Sequence, residues 1–223
     1  MKVTTDACLF GAWVARELKA QSHAIRNMID IGTGTGLLTL MVAQKISHLI
    51  IDAVEIDRSA YLQAKGNIHV AGFKNTIFVH QADIRNDQIF GRYDVVISNP
   101  PFYENELKSG NSQKNMAHHD ESLSLEELLP VIKIMLTATS KFYLLLPFKR
   151  KNEIEELLKK NNLFLTKIVS VRQSVNHDHF RLMIEGSLFD DYKPEESEIS
   201  ICDDKQQYTD QFTHLLKDYY LNL

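Results

Sequence analysis

The stretch MIDIGTGTGLLTLMVAQKI, residues 28–46, decides the fold. Met28 to Ile31 reads as a short strand. Glycines at 32, 34 and 36 break it, and Leu37 to Ile46 carries apolar residues at helical spacing. The same order recurs downstream. LIIDAVEI (49–56) reads as a strand, SAYLQAKGNIHVAG (59–72) as an amphipathic helix, TIFVHQAD (76–83) and YDVVISN (93–99) as strands. SLEELLPVIKIMLTA (124–138) is predicted helical with Ser124 as N-cap, KFYLLLP (141–147) a strand and KNEIEELLKKN (151–161) a helix. LFLTKIVSVRQ (163–173) and HFRLMIEGSLF (179–189) are β-rich and predict a late hairpin, and DACLFGAWVARELKAQ (6–21) predicts a helix ahead of the first strand. Alternation on this scale argues an open α/β sheet, parallel over most of its width. Its first strands are apolar on both faces, as helices covering both sides require.

Length and composition narrow the class. The chain has 223 residues, 44% hydrophobic and 24% charged, with a formal net charge of −4. This suits one soluble domain, 1–223, without internal repeat or low-complexity linker. No stretch reaches the roughly 20 apolar residues of a membrane span, and no basic-then-apolar leader is expected from the first residues. Cys8 and Cys202 form no ligand spacing, which fits a cytoplasmic protein with two ordinary thiols. The clusters HHD (118–120) and HDH (177–179) lack partners, so no metal is expected. The net charge makes no global case for nucleic acid. FKRK (148–151) and LLKK (157–160) offer cations, read first as solvated helix surface, whereas FDDYKPEESEISICDDK (189–205) would repel phosphate and should face away from it.

In an open α/β sheet, ligands bind at the carboxyl ends of the strands. The loop DIGTGTG, Asp30 to Gly36, lies there, and its glycines allow close approach of backbone to ligand. A dinucleotide fingerprint would need glycine where Leu37 stands. Asp-x-Gly-x-Gly-x-Gly instead resembles the first motif of class I methyltransferases that use S-adenosylmethionine. The cationic methionine end of that ligand favours a carboxylate, which Asp30 can supply directly or through water. Glu55 ends the second predicted strand, where two carboxylate oxygens suit a ribose diol. Asp57 competes for this role, and the spacing to the next helix favours Glu55. Asp83 ends the third strand and can accept from an adenine amino group.

The fourth strand runs into NPPF, Asn99 to Phe102. Proline lacks an amide hydrogen and fixes φ, so Pro100 and Pro101 end a strand abruptly. The sequence suits a planar exocyclic amine, whose lone pair is delocalised into its ring. Such an amine needs no base to remove a proton first. It needs two acceptors on its two N–H bonds, which favour the pyramidal nitrogen as charge develops. The Asn99 side-chain oxygen and the Pro100 carbonyl are the candidates. Pro101 stiffens the turn, Phe102 offers a stacking face for an extruded base, and Tyr103 can add a second ring.

DIGTGTG, AVEID, QAD and NPPF together resemble the amino-methylating class I methyltransferases. MKVTTDACLFGAW (1–13), NPPFYEN (99–105), HHDESLSLEELL (118–129) and YTDQFTHLLKDYYL (208–221) are similar to the bacterial tRNA(Val) adenine N(6)-methyltransferases, essentially end to end. That family methylates the adenosine at position 37 of tRNA(Val), immediately 3′ of the anticodon. The resemblance implies a class I methyltransferase Rossmann-like sheet with an antiparallel last strand. It implies S-adenosylmethionine as cofactor, S-adenosylhomocysteine as product, and contacts at Gly32, Gly34, Gly36, Glu55 and Asp83. KVTTD corresponds to a motif covering the methionine end, so Thr5 is a candidate contact within a cofactor-covering segment, 1–24. The long polar stretch 104–122 is expected to be a substrate loop. Members commonly carry a basic residue where His118 stands, so His118 is its expected tRNA contact when protonated beside phosphate. The partner implied is the anticodon arm of tRNA(Val), and a monomer is expected. The alternatives are a glutamine N-methyltransferase of peptide chain release factors, whose side-chain amide is also planar, and another rRNA methyltransferase of the NPPF type.

Overall fold

The computed structural model describes residues 3–21, 23–86, 91–101, 123–190 and 193–222. Helix α1 (Thr5–Ala20) leads into β1 (Asn27–Ile31), α2 (Leu37–Lys45), β2 (Ile50–Glu55), α3 (Arg58–Ala71), β3 (Thr76–Gln81) and β4 (Tyr93–Ser98). Then follow α4 (Leu125–Met135), β5 (Leu136–Pro147), α5 (Lys151–Lys160), β6 (Phe164–Ser174), β7 (His179–Ser187), β8 (Glu195–Cys202) and α6 (Asp210–Leu216). Among the described residues eight strands form one sheet in the order β3-β2-β1-β4-β5-β7-β6-β8.

Alternation along the strands divides the core. Met28, Val95, Ile97, Tyr143 and Leu145 join a cluster with Leu9, Phe10 and Trp13 of α1, Met41 and Val42 of α2, and Phe212 of α6. Their neighbours Ile29, Ile31, Val96, Phe142 and Leu144 point the other way, into a cluster with Leu128, Leu129 and Ile132 of α4 and Ile154 and Leu158 of α5. The strands are therefore apolar on both faces because both faces carry helices. Each fully buried large side chain contributes about 1.5–3 kcal/mol. Trp13, 1% exposed, belongs to this core and meets the Tyr143 ring edge-on at 5.6 Å.

The expected reversed strand is β7, antiparallel to both β5 and β6. It is not the last in sequence. Glu195–Cys202, expected to be only an acidic surface stretch, adds β8 parallel to β6 on the sheet's far edge. Glutamates along such an edge discourage pairing with another chain. They also masked the strand in the sequence, where only Ile199 and Ile201 alternate inward. The helix expected to run to residue 138 stops at Met135. Leu136 already pairs with Tyr93 of β4, its carbonyl accepts from the Arg92 guanidinium at 2.6 Å, and Ser140 Oγ donates to the Tyr93 carbonyl at 2.6 Å. Sheet hydrogen bonds thus claim these residues over a helix that their local pattern allows.

Gly186 on β7 shows how tightly the late strands are joined. A Cβ there would stand 2.6 Å from the Phe164 carbonyl oxygen and closer still to the Phe142 ring. Gly186→Ala should lower the unfolding free energy by about 1–3 kcal/mol, read as a lower urea midpoint. An unchanged midpoint would contradict this packing.

Candidate active site

The order of the sheet reverses beside β1, which lies between β2 and β4. Chain leaving the carboxyl ends of these strands therefore brackets a crevice. Ile31 pairs with Val54 on one side and with Ser98 on the other, and Glu55 pairs with Gln81. The next residues are Gly32, Glu55 and Asn99, with Asp83 two positions beyond Gln81. Neighbouring strands are about 4.8 Å apart. Four segments distant in sequence so reach one edge as a row.

A cleft of about 550 Å³ including its open mouth lies along this edge. Gly32, Glu55, Asp83, Pro100 and Pro101 line it, together with Ile56, Ile84, Arg85, Ser98 and Leu123. Pro100 is buried, Asn99 half-buried and Pro101 exposed. Ser98 Oγ donates to the Ile31 carbonyl at 2.7 Å, which ties the start of NPPF to the end of β1.

The glycine turn is built around Asp30. This carboxylate is wholly buried and does not line the cleft. Its Oδ2 accepts from Thr33 Oγ1 at 2.7 Å and from Thr39 Oγ1 at 2.8 Å. The Gly32 and Thr33 amides both donate to the Val54 carbonyl, at 2.9 and 3.0 Å. Gly32 (φ 70°) and Gly36 (φ 87°) adopt left-handed backbone that a side chain strains. A Cβ on Gly32 would meet nothing within 4 Å, so the glycine leaves space at the cleft wall. Thr33 and Thr39 were not singled out from the sequence. Their positions three and nine residues after Asp30 were the available signal.

The acids divide their roles. Glu55 is buried, with Oε2 accepting from the Gly34 amide at 2.8 Å and Oε1 from the Asp57 amide at 2.9 Å. Asp57 turns instead to α3, whose Ala60 amide it caps at 2.8 Å. Asp83 is held by Arg85, whose bonds keep its carboxyl below the usual range. Thr5 lies at the exposed start of α1, and its neighbour Asp6 accepts from Arg181 at the start of β7 at 2.7 Å. Phe102, Tyr103, His118 and the stretch 104–122 lie outside the described residues. Arg85 and Glu127 join the site's surroundings without having been expected there.

These residues fit S-adenosylmethionine. Asp30 Oδ1 is a buried acceptor with no partner among the described residues, but it lies beneath the turn and not on the cleft, so the expected direct contact with the cationic end is not formed by this wall. Each Glu55 oxygen has used one lone pair on a backbone amide and retains another for a diol. Among the described residues no group of three potential metal ligands occurs.

The sequence profile of the methyltransferase small domain family matches residues 12–136. A tRNA1(Val) (adenine(37)-N6)-methyltransferase of Parabacteroides distasonis is 34% identical, covering 100% of this chain and 92% of that protein. One of the same name from Pseudoalteromonas translucida is 37% identical, covering 100% and 93%. Among solved structures, a predicted O-methyltransferase of Agrobacterium tumefaciens superposes with TM-score 0.71 at 14% identity, over 97% of this chain and 99% of that one. The last likeness concerns the fold.

Burial pushes Asp30 up from 3.8 to about 6, against its hydrogen bonds from Thr33 and Thr39, and the Glu55 charge pushes the same way. The folded state then binds this proton more tightly than the unfolded one, so stability falls as pH rises between those two values. Asp30→Asn removes the buried charge. Its stability relative to the parent should rise by about 3 kcal/mol as pH goes from about 4 to about 7, then level off. Urea titrations across pH measure this, and a pH-independent difference would contradict it.

Proposed function

Since this chain belongs to the family of the tRNA1(Val) (adenine(37)-N6)-methyltransferases, within the methyltransferase small domain group, we propose that it methylates the exocyclic nitrogen of adenine 37 in tRNA(Val). The observation that carries the chemistry is the row at the sheet edge, where the strand bearing Asn99 and Pro100 neighbours the glycine turn.

S-adenosylmethionine supplies a methyl group on a cationic sulfur, an electrophile for an amine whose lone pair has been localised. Gly32, Gly34 and Gly36 hold it through backbone, Glu55 through the ribose hydroxyls and Asp83 through the adenine amino group. Asp30 shapes the turn from beneath it through its bonds from Thr33 and Thr39. Thr5, in the segment 1–24, helps cover the methionine end.

Asn99 and Pro100 act on the substrate amine. The Asn99 oxygen and the Pro100 carbonyl accept from its two N–H bonds, and both bonds strengthen as the nitrogen becomes pyramidal and positive. Among the described residues the Asn99 side chain has no hydrogen-bond partner, which leaves its amide available. Pro101 stiffens the carbonyl's direction, and Phe102, with Tyr103, stacks the base.

The same reading has the protein working in the cytoplasm as a monomer, on the anticodon arm, with 104–122 and His118 against the RNA. Among the described residues no helix is long and apolar enough to cross a membrane. The FKRK turn leaves β5 on the same edge as Asn99, where cations suit a phosphate backbone. The acidic strand β8 lies four strands from β4.

Labelled S-adenosylmethionine should deliver its methyl to a tRNA(Val) transcript and not to one with guanine at position 37. Transfer to a release factor or to rRNA instead of tRNA would overturn the reading. Asn99→Ala should lower kcat roughly 100-fold or more while cofactor affinity, read by calorimetry, stays unchanged; retained turnover would refute the role of Asn99.

A further inference from the structure

Arg85 lies on the cleft wall beside Asp83 and is bonded at both ends. Its backbone amide donates to Asp83 Oδ1 at 3.0 Å. Its Nε reaches both carboxylate oxygens, at 2.9 and 3.1 Å, and Nη2 donates to Oδ2 at 2.9 Å. Its Nη1 contacts Glu127 Oε1 at 3.3 Å. Glu127 is itself fixed, because its Oε2 accepts from the Ser124 amide at 2.9 Å and from Ser124 Oγ at 2.8 Å in the capping box of α4. One guanidinium thus joins the end of β3 to the start of α4.

Bond accounting shows what this does to Asp83. A carboxylate has about four lone-pair sites. Arg85 supplies its backbone amide and, in a planar fork that a lysine ammonium cannot reproduce, the two side-chain donors Nε and Nη2. Asn86 Nδ2 also donates to Oδ2, at 3.1 Å on the exposed side. An incoming amino group can displace that solvent-facing amide at little cost, whereas displacing the fork would break charge-assisted bonds.

We propose that Arg85 is a positioning residue for cofactor selection: it holds the Asp83 carboxylate in one orientation, with the site occupied by Asn86 left exchangeable for the adenine amino group. The inference rests on the cofactor reading given above. It assigns Arg85 no contact with the reacting atoms. Its effect is confined to ligands that carry the amino group. The same fork keeps Asp83 ionised to lower pH than an ordinary aspartate.

Calorimetry with two ligands tests this. S-adenosylhomocysteine carries the amino group, and S-inosylhomocysteine has a carbonyl oxygen in its place. Arg85→Ala should weaken S-adenosylhomocysteine about tenfold and change S-inosylhomocysteine by less than about twofold. Arg85→Lys, which keeps the charge and loses the fork, should lose most of the same preference. In Arg85→Ala, S-adenosylhomocysteine affinity should also begin to fall at a higher pH on acidification than in the parent. Equal losses for both ligands would make Arg85 a merely structural part of the cleft, and unchanged or tighter S-adenosylhomocysteine binding would make it a mask over Asp83. Either overturns the proposal. Failure of the parent protein to bind S-adenosylhomocysteine would overturn the cofactor reading and the proposal with it.

Discussion

The turn from β1 to α2 is wrapped around a carboxylate that water does not reach. Asp30 is 0% exposed, so its charge must be met by nearby donors or by a proton. Thr33 and Thr39 supply two donors, one from the turn and one from the first turns of α2. Their bonds set how far the chain may swing between strand and helix. The Val54 carbonyl completes the restraint by accepting from both Gly32 and Thr33, so β2 holds the turn from the side. With the turn fixed, Gly32 lines the cleft with backbone in place of a side chain.

The rest of the site follows from parallel register. Strands leaving the same edge in the order β3-β2-β1-β4 deliver Asp83, Glu55, Gly32 and Asn99 as neighbours, although they span 68 residues of sequence from Gly32 to Asn99. The edge then separates chemically. On the β2–β3 side are carboxylates, suited to hydroxyl and amino donors. On the β4 side are an amide and a proline carbonyl, both neutral acceptors. The boundary is the Ser98 hydroxyl, bonded to the Ile31 carbonyl between the two halves.

Three acidic residues looked alike as strand-end acids and behave differently because their surroundings differ. Glu55 is buried and, among the described residues, bonded to two backbone amides, one on each oxygen. Asp57 is exposed and spends its oxygen on a helix terminus. Asp83 is gripped by a guanidinium that also reaches the first turn of α4. Position relative to a strand's end brings a carboxylate to the cleft. The donors around it decide what it can still accept.

Much of the fold was legible because its signals are local. Glycines at 32, 34 and 36 between a strand and a helix, the prolines at 100 and 101, and the capping serine at 124 act within a few residues of themselves. The glycine loop, Glu55 and NPPF stand out for that reason, and spacing alone favours Glu55 over Asp57 for a diol. The strand Glu195–Cys202 was not legible, because its glutamates suit an edge and only a partner in β6 makes the segment extended. The start of β5 at Leu136 was misjudged because helix and strand were both permitted locally, and β4 chose between them. Nor could the sequence show that Asp30 lies beneath the turn and outside the cleft, that Thr33 and Thr39 hold it, or that Arg85 grips Asp83 and reaches Glu127. Local pattern determined which chemistry this chain carries and on which edge. Burial and long-range pairing decided which donors surround each carboxylate, since those depend on residues that only folding brings within hydrogen-bonding distance.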